Sequence, residues 1–153
     1  MSEILSLKNA AVVVTGSTGF IGSHLIDYLV GQDCTIHALV RETSDQRWLN
    51  KSGQVKIHIV DLAQSSSISC LEKADYLFHC AGLTKAKTRD DYFCGNVYSC
   101  EVLYERCVAI GGNLKAIVHL SSLAAAGPST QGEAVQEKNP CKPVTYYGES
   151  KLA

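Results

Sequence analysis

The sequence predicts an α/β fold built on a doubly wound parallel sheet of the Rossmann type. Short apolar segments alternate along the chain with segments of helical periodicity, and most of the apolar segments lack the polar alternation of a half-exposed strand. Such strands are buried on both faces, and helices between them imply right-handed βαβ units. The 153 residues contain no linker and no internal repeat, so we expect one domain. A Rossmann-type sheet implies at least five strands in the order 3-2-1-4-5.

Each element has its own signal in the chain. Apolar and β-branched residues predict strands at residues 10–15, 35–40, 55–60, 75–80 and 116–120. In open α/β sheets, ligands bind beyond the carboxyl ends of the strands. The residues that follow these five segments are therefore the first candidates for function.

The segments between the strands supply the helices. Ile21, Leu25, Tyr28 and Leu29 recur at helical spacing and predict a helix over residues 20–29, which Gly31 ends. The remaining predicted elements are a helix over residues 91–110 ending at Gly111-Gly112, a short helix or loop from the serine-rich residues 65–69 onward, a polar loop over residues 127–143, and a helix that begins near Thr145.

The composition excludes several classes of protein. Fourteen basic and fifteen acidic residues give a formal net charge of −1, which leaves no excess charge for nucleic acid or an anionic membrane surface. No apolar stretch approaches the roughly 20 residues that a bilayer span requires. The first ten residues lack the charged and apolar regions of a secretory signal, so we expect a cytoplasmic protein.

The seven cysteines carry no recognisable metal or disulfide pattern. No pair is spaced as C-x-x-C, and no cysteine and histidine set has zinc-finger spacing. Thiols of a cytoplasmic protein stay reduced, and a free cysteine packs as a small hydrophobic residue. We therefore predict no metal site and no catalytic cysteine.

A glycine cluster follows the first predicted strand and opens the first helix. Its spacing, G-x-x-G-x-x-G, suits a sharp turn that lets a pyrophosphate approach the backbone and the helix N-terminus. The alternative is a tight turn without a ligand, but the position between strand and helix favours a dinucleotide site. The candidate residues are Gly16, Ser17, Thr18, Gly19, Phe20, Ile21 and Gly22.

A second set of polar residues has the pattern of an acid–base site. Tyr147 and Lys151 are four residues apart, so on a helix they share one face, whereas Tyr146 has Ser150 at that offset. A phenol is a poor base at neutral pH, and a nearby ammonium favours the phenolate. Ser122, after the fifth strand, would hold the same substrate oxygen, with Ser121 as the alternative.

These motifs together resemble the extended short-chain dehydrogenase/reductase superfamily, the NAD(P)-dependent epimerase/dehydratase family. The segments that carry the resemblance are TGSTGFIG, HCAG, NVYSCEVL, SSLAAAG and YYGESK. The resemblance implies catalytic roles for Ser122, Tyr147 and Lys151, with the last two also at the cofactor, and a structural role for Asn96. It further implies cofactor contacts at Asp61, Leu62, Cys80, Ala81 and Gly82.

The second strand bears on the choice of nicotinamide cofactor. An acidic residue at its end would bind the ribose hydroxyls of NAD, but Val40 stands there and Arg41 follows. A guanidinium suits a 2′-phosphate, so we predict NADP, with NAD as the alternative. Arg47 is a second candidate for the phosphate. The alternative for Arg41 is that it lies in a solvated loop and binds no ligand.

The resemblance implies hydride transfer at a carbon that bears a hydroxyl or carbonyl group of a small molecule. The stretch SSLAAAGPS departs from the S-x-x-V-Y-G of sugar epimerases and looks more like hydroxysteroid dehydrogenases and carbonyl reductases. The alternatives are a dinucleotide sensor without turnover and an inactive fragment. Members of the family are longer, so we expect residues 1–153 to be a cofactor-binding domain truncated after the Tyr/Lys motif. The substrate domain would be absent, activity low and the last helix frayed, and a homodimer stays open.

Overall fold

The computed structural model describes residues 7–64, 68–110, 114–129 and 132–153, and its centre is a five-stranded sheet. All neighbouring strands are parallel and their order is β3-β2-β1-β4-β5, which confirms the predicted architecture. The strands are β1 (Ala11–Thr15), β2 (Thr35–Val40), β3 (Val55–Ile59), β4 (Tyr76–His79) and β5 (Ala116–His119).

Helices connect the strands and lie on the faces of the sheet. Their bounds are α1 (Phe20–Val30), α2 (Arg89–Phe93), α3 (Ser99–Ala109), α4 (Leu123–Ala126) and α5 (Tyr146–Leu152), with a 3₁₀ turn at Ser69–Lys73 and a π-helical turn at Cys94–Tyr98. The single helix predicted over residues 91–110 is thus α2 and α3 joined by the π turn. Residues 65–67 and the predicted stop at residues 111–112 lie outside the described residues. None of the helices in the described ranges has the length and apolarity needed to cross a membrane.

Alternate residues of β1 face two hydrophobic clusters, one on each side of the sheet. Val12 and Val14 pack with Ile26 and Leu29 of α1 on one face, while Val13 faces the cluster that contains α3. The expectation of strands buried on both faces holds for β1, β2 and β4. It is wrong for the edge strands, since β5 is exposed along its whole length and β3 is only partly buried.

The buried face of α1 differs from the one its apolar spacing suggests. Gly22, Ser23, Ile26 and Leu29 are buried, whereas Ile21 and Tyr28 are 52% and 64% exposed. On the buried side of the first turn the residues are small, Gly22 and Ser23, because the helix begins directly against the glycine-rich turn. The periodicity therefore predicted the helix but not which side of its first turn meets the sheet.

The packing of α1 leads to a stability prediction. Replacing Ile26, which is fully buried, with Ala should lower the free energy of unfolding by about 2–5 kcal/mol, because it removes buried methylenes and leaves a cavity. The matched control is Tyr28→Ala on the exposed side of the same helix, expected to change stability by no more than about 0.5 kcal/mol. Urea unfolding followed by circular dichroism measures both. Equal losses in the two variants would contradict the assigned face.

Candidate active site

The turn between β1 and α1 leaves no room for side chains at two of its glycines. Gly16 has φ +66°, and a Cβ there would lie 2.6 Å from the backbone nitrogen of Ala81. A Cβ on Gly22 would lie 2.2 Å from the Gly16 carbonyl oxygen. The third glycine, Gly19, is less constrained, since its Cβ would be 3.2 Å from that oxygen. The turn therefore brings bare backbone to the carboxyl ends of both β1 and β4.

A buried polar network fixes these two strand ends against each other. Thr15 and His79 are paired across β1 and β4, and the Thr15 hydroxyl lies 2.7 Å from His79 Nδ1. The same hydroxyl accepts a 3.1 Å hydrogen bond from the Ala81 backbone N–H. His79 Nε2 faces the Cys100 thiol at 3.0 Å. Burial lowers the pKa of His79 to about 4, so the ring is neutral at pH 7.

The other residues of the turn divide between the interior and the surface. Ser17 is fully buried, and its hydroxyl lies 2.7 Å from the Val14 carbonyl and 3.2 Å from that of Leu39. Its side chain therefore braces the ends of β1 and β2, and only its backbone is left for a ligand. Phe20 and Ile21 are exposed in the first turn of α1, where backbone N–H groups have no intrahelical acceptor.

A groove of about 390 Å³ crosses the carboxyl ends of the central strands. Its walls bring together residues from the glycine turn and from the ends of β2, β3 and β4. The predicted site residues among them are Gly16, Thr18, Gly19, Arg41, Asp61, Leu62, Cys80, Ala81 and Gly82.

Arg41 and Arg47 have different surroundings. Arg41 is exposed on the wall of the groove, in a turn where its N–H donates to the Ser44 hydroxyl at 3.2 Å. Arg47 forms an ion pair with Asp45, two residues before it. Arg41 is therefore the arginine that borders the groove.

The two serines after β5 are also distinct. Ser122 caps the N-terminus of α4, and its hydroxyl accepts a 3.2 Å hydrogen bond from the Ala124 N–H. Ser121 instead donates to the backbone oxygen of Lys151 at 3.2 Å, which ties the end of β5 to α5. Ser121 is thus engaged with the backbone of α5, while Ser122 stands at the start of α4.

Helix α5 docks on α4 through Gly148. A Cβ at this position would lie 2.4 Å from the Ala124 carbonyl oxygen and 3.0 Å from the Pro143 side chain. Thr145 caps the helix by accepting a 3.0 Å hydrogen bond from the Gly148 N–H. Because Gly148 directly follows Tyr147, the absence of a side chain sets how closely that tyrosine approaches the segment after Ser122.

Asn96 joins α5 to the loop after β4. This buried side chain donates to the Ser150 hydroxyl at 2.9 Å and to the Leu83 carbonyl at 3.1 Å, and it accepts from the Leu83 N–H at 2.6 Å. It lies in the π-helical turn, which places it between the loop and the last helix. These contacts give Asn96 the structural position that the resemblance implied.

Tyr147 and Lys151 face neighbouring spaces. A Cβ on Gly82 would lie 3.5 Å from Lys151 Nζ, so the ammonium stands beside the groove. Tyr147 lines an adjacent open cavity of about 720 Å³, together with Tyr92, Ala124 and Val144. Helix α5 therefore lines the cavity with Tyr146, Tyr147 and Glu149 and places Lys151 Nζ beside Gly82 on the wall of the groove.

The sequence reasoning missed His119 and Gly148. His119 Nε2 lies 3.5 Å from Lys151 Nζ, and its Nδ1 lies 2.7 Å from the Tyr104 hydroxyl. Burial, followed by the charge of Lys151, lowers the pKa of His119 and favours a neutral ring that can accept from the ammonium. Its place two residues before Ser121 was visible in the sequence, but the contact depends on how α5 folds back.

The groove fits a dinucleotide on grounds of its own geometry. Backbone atoms already occupy the positions that a Cβ on Gly16 or Gly22 would take, so the turn carries no side chain at these residues. Its backbone is therefore accessible at the start of α1, where the helix dipole favours phosphate. Apolar residues from the ends of β2 and β3, among them Leu39 and Val60, line the other end. That end suits a flat base, and Arg41 stands beside it.

Comparisons with known proteins agree with this geometry. Residues 12–153 match the family model described as the NAD dependent epimerase/dehydratase family. A dTDP-6-deoxy-L-talose 4-dehydrogenase (NAD(P)(+)) from Kitasatospora kifunensis is 28% identical over 144 residues, which are 94% of this chain and 45% of that protein. A ceramide reductase from Caulobacter vibrioides is 30% identical over 128 residues, which are 83% of this chain and 39% of the reductase.

Solved structures show the same fold. The crystal structure of UDP-glucuronic acid 4-epimerase from Bacillus cereus in complex with NAD superposes with a TM-score of 0.80 at 23% identity, over 93% of this chain and 49% of that one. The chain thus spans about half the length of the proteins it matches or less. With the family model covering all but the first eleven residues, the chain belongs to the NAD-dependent epimerase/dehydratase family.

Proposed function

We propose that this chain forms the NADP(H)-binding part of an oxidoreductase that acts at a carbon bearing a hydroxyl or carbonyl group. One observation carries the proposal: α5 presents Lys151 to the groove at Gly82 and Tyr147 to the adjacent cavity. A cofactor in the groove and a substrate in the cavity would meet along this helix. A dinucleotide sensor would have no use for this arrangement.

The residues that would hold the cofactor follow from the walls of the groove. The backbone of the turn from Gly16 to Gly19 would face the phosphates. Asp61 and Leu62 would lie beside the adenine base, and Arg41 would be available to a 2′-phosphate. Ala81 and Gly82 on the opposite wall have small side chains or none, which leaves room for the cofactor. A bound nicotinamide dinucleotide supplies or accepts the hydride.

The protein's own part in the reaction is proton transfer and orientation. Tyr147 would give a proton to the substrate oxygen, or take one from it, as general acid or base. Lys151, one helical turn away, would donate a hydrogen bond to a sugar hydroxyl of the cofactor. The Ser122 hydroxyl, which accepts a bond from the Ala124 N–H, would donate its hydrogen to the same substrate oxygen.

The substrate cavity has a partly apolar lining. The exposed side chains of Val144 and Tyr146 and the half-buried ring of Tyr92 contribute aliphatic and aromatic surface beside Tyr147. This lining, together with SSLAAAG after β5, supports ketones and alcohols of the lipid or steroid class ahead of nucleotide sugars. Relatives include both kinds, a ceramide reductase and a dTDP-sugar dehydrogenase. Because the chain covers about half of their length or less, the proposal refers to the whole protein that carries this sequence.

Tyr147 can be separated from its neighbour by substitution. In the protein that carries this sequence, Tyr147→Phe should lower NADPH-dependent ketone reduction by about 100- to 10,000-fold, because the proton donor is removed. NADPH binding, measured by calorimetry, should be retained. The control is Tyr146→Phe, which removes the adjacent hydroxyl and should leave the rate near wild type. Equal rates in the two variants, or NADPH binding with no turnover of a lipid ketone or a dTDP-ketosugar by the wild type, would favour a sensor instead.

Gly148 should be required for the docking of α5. In Gly148→Ala the new methyl group meets the Ala124 carbonyl, and relieving such an overlap costs about 1–3 kcal/mol. We expect amide hydrogen exchange in residues 146–152 to become roughly tenfold faster or more. Gly53→Ala is the matched control, since a Cβ there meets nothing within 4 Å. Unchanged exchange in Gly148→Ala would show that α5 does not depend on this contact.

Arg41 should decide between the two cofactors. Calorimetric titration of wild type should show tighter binding of NADPH than of NADH, and Arg41→Ala should weaken NADPH binding by roughly 10- to 100-fold through loss of a charge-assisted hydrogen bond. NADH binding should change little. Arg47→Ala serves as the control, because Arg47 is paired with Asp45. Equal affinity of the wild type for both cofactors would overturn the assignment of NADP.

A further inference from the structure

Three side chains with metal-binding atoms converge on the α3 side of the sheet, away from Tyr147 and Lys151. His37 lies in β2, His58 in β3, and Cys70 in the 3₁₀ turn Ser69–Lys73. Their ligating atoms all lie within 4.8 Å of one another. His37 Nδ1 and His58 Nε2 share a hydrogen at 2.9 Å, and the two ring centres are 5.0 Å apart. We propose that His37, His58 and Cys70 form a binding site for one zinc ion.

The spacing of the two imidazole nitrogens is close to what zinc requires, and the Cys70 sulfur lies within 4.8 Å of both. With Zn–N bonds of about 2.0 Å and a Zn–S bond of about 2.3 Å, tetrahedral geometry separates the two nitrogens by about 3.3 Å and each from sulfur by about 3.5 Å. The imidazole nitrogens therefore need to part by only a few tenths of an ångström. Three protein ligands leave one position for water. His37 and His58 are only partly buried, so an ion has access from solvent.

The ligand types select the class of metal. Two imidazoles and a thiolate suit zinc and other thiophilic ions, and they disfavour magnesium and calcium, which prefer oxygen ligands. Burial is the main cause that lowers the pKa of both histidines, so both rings are uncharged at pH 7. The hydrogen that His37 Nδ1 and His58 Nε2 share would move to the other nitrogen of its ring when an ion binds. Burial raises the pKa of the Cys70 thiol to about 11, so the ion would displace its proton on binding. Lys56, whose charge also bears on both rings, is exposed and screened by solvent.

A second group of the same composition, His79, Cys100 and His119, is a poorer host for a cation. Its ligating atoms are also within 4.8 Å of one another. The Thr15 hydroxyl engages Nδ1 of His79 and the Tyr104 hydroxyl engages Nδ1 of His119, which leaves Nε2 of each ring and the Cys100 thiol to face an ion. The remaining nitrogen of His119 lies 3.5 Å from Lys151 Nζ, so a zinc ion there would face an ammonium. This contrast favours the first group and provides an internal control.

The proposed site would join three consecutive elements of the chain, β2, β3 and the 3₁₀ turn. An ion held by β2, β3 and the 3₁₀ turn would fasten the edge strand β3, which is only partly buried, to the rest of the sheet. A ligand that binds only the folded state raises the stability of that state. Zinc should therefore raise the thermal midpoint of the chain.

Cobalt and zinc provide the test on the reduced, metal-free chain. Calorimetry should show one tight zinc site, and Co²⁺ should produce a thiolate-to-metal charge-transfer band. Cys70→Ser should abolish the band, whereas Cys100→Ser should retain it. His58→Ala should weaken zinc binding by at least roughly 100-fold. Removing a residue that only hydrogen-bonds a metal ligand typically costs about 10- to 100-fold, so a larger loss indicates a direct ligand. His24→Ala, on the exposed surface of α1, is the control for adventitious binding by a surface imidazole.

The remaining outcomes distinguish the two groups and guard against misfolding. His58→Ala alters a partly exposed edge-strand residue, so its circular dichroism should match wild type and its midpoint should no longer rise with zinc. No thiolate band in the wild type would overturn the proposal. A band that disappears in Cys100→Ser and persists in Cys70→Ser would assign the ion to the second group. If His24→Ala lost as much affinity as His58→Ala, the binding would be adventitious binding by surface histidines.

Discussion

The close approach of the β1–α1 turn to the end of β4 is the constraint on which the rest of the site depends. Backbone atoms of Cys80 and Ala81 occupy the space that a side chain at Gly16 would need. The Thr15 hydroxyl holds that approach by bonding both the Ala81 N–H and the His79 ring, and the Thr15 and His79 side chains are buried. Because buried polar groups are costly when unpaired, any displacement of β4 would break two bonds at once. The groove therefore has a rigid floor.

Much of the fold follows from local sequence signals, because parallel strands buried on both faces leave a continuous apolar pattern. The edge strands do not follow this rule, because an apolar pattern does not make them buried: Ile117 and Val118 in β5 are apolar but nearly half exposed. Nothing in a strand's own residues tells whether a neighbour covers it. The face of α1 was hidden for a similar reason, since Gly22 and Ser23 are buried by their position after the turn and not by hydrophobicity.

The candidate site divides in the same way. Glycine spacing and the Tyr147/Lys151 offset are local patterns, and the structure places them around one groove and one cavity. The contacts that position them are not local. Gly148 meets Ala124, Asn96 meets Ser150, and His119 meets Lys151 only after the chain has folded back. The grouping of His37 with His58 likewise depends on the register of β2 and β3, which residue spacing alone does not reveal.

The electrostatic setting of Lys151 supports the role proposed for it. The side chain is partly buried, and burial is the main cause that lowers its pKa. In the part of the chain that the structure describes, no carboxylate forms an ion pair with it; its neighbours are the His119 ring and the Cys100 thiol. A desolvated ammonium without a counter-charge is destabilising, so a group that contributed only to the fold would gain from pairing or from exposure. Lys151 instead stands beside Gly82 with donors to spare, where hydroxyl oxygens of a bound ligand would complete its hydrogen bonds.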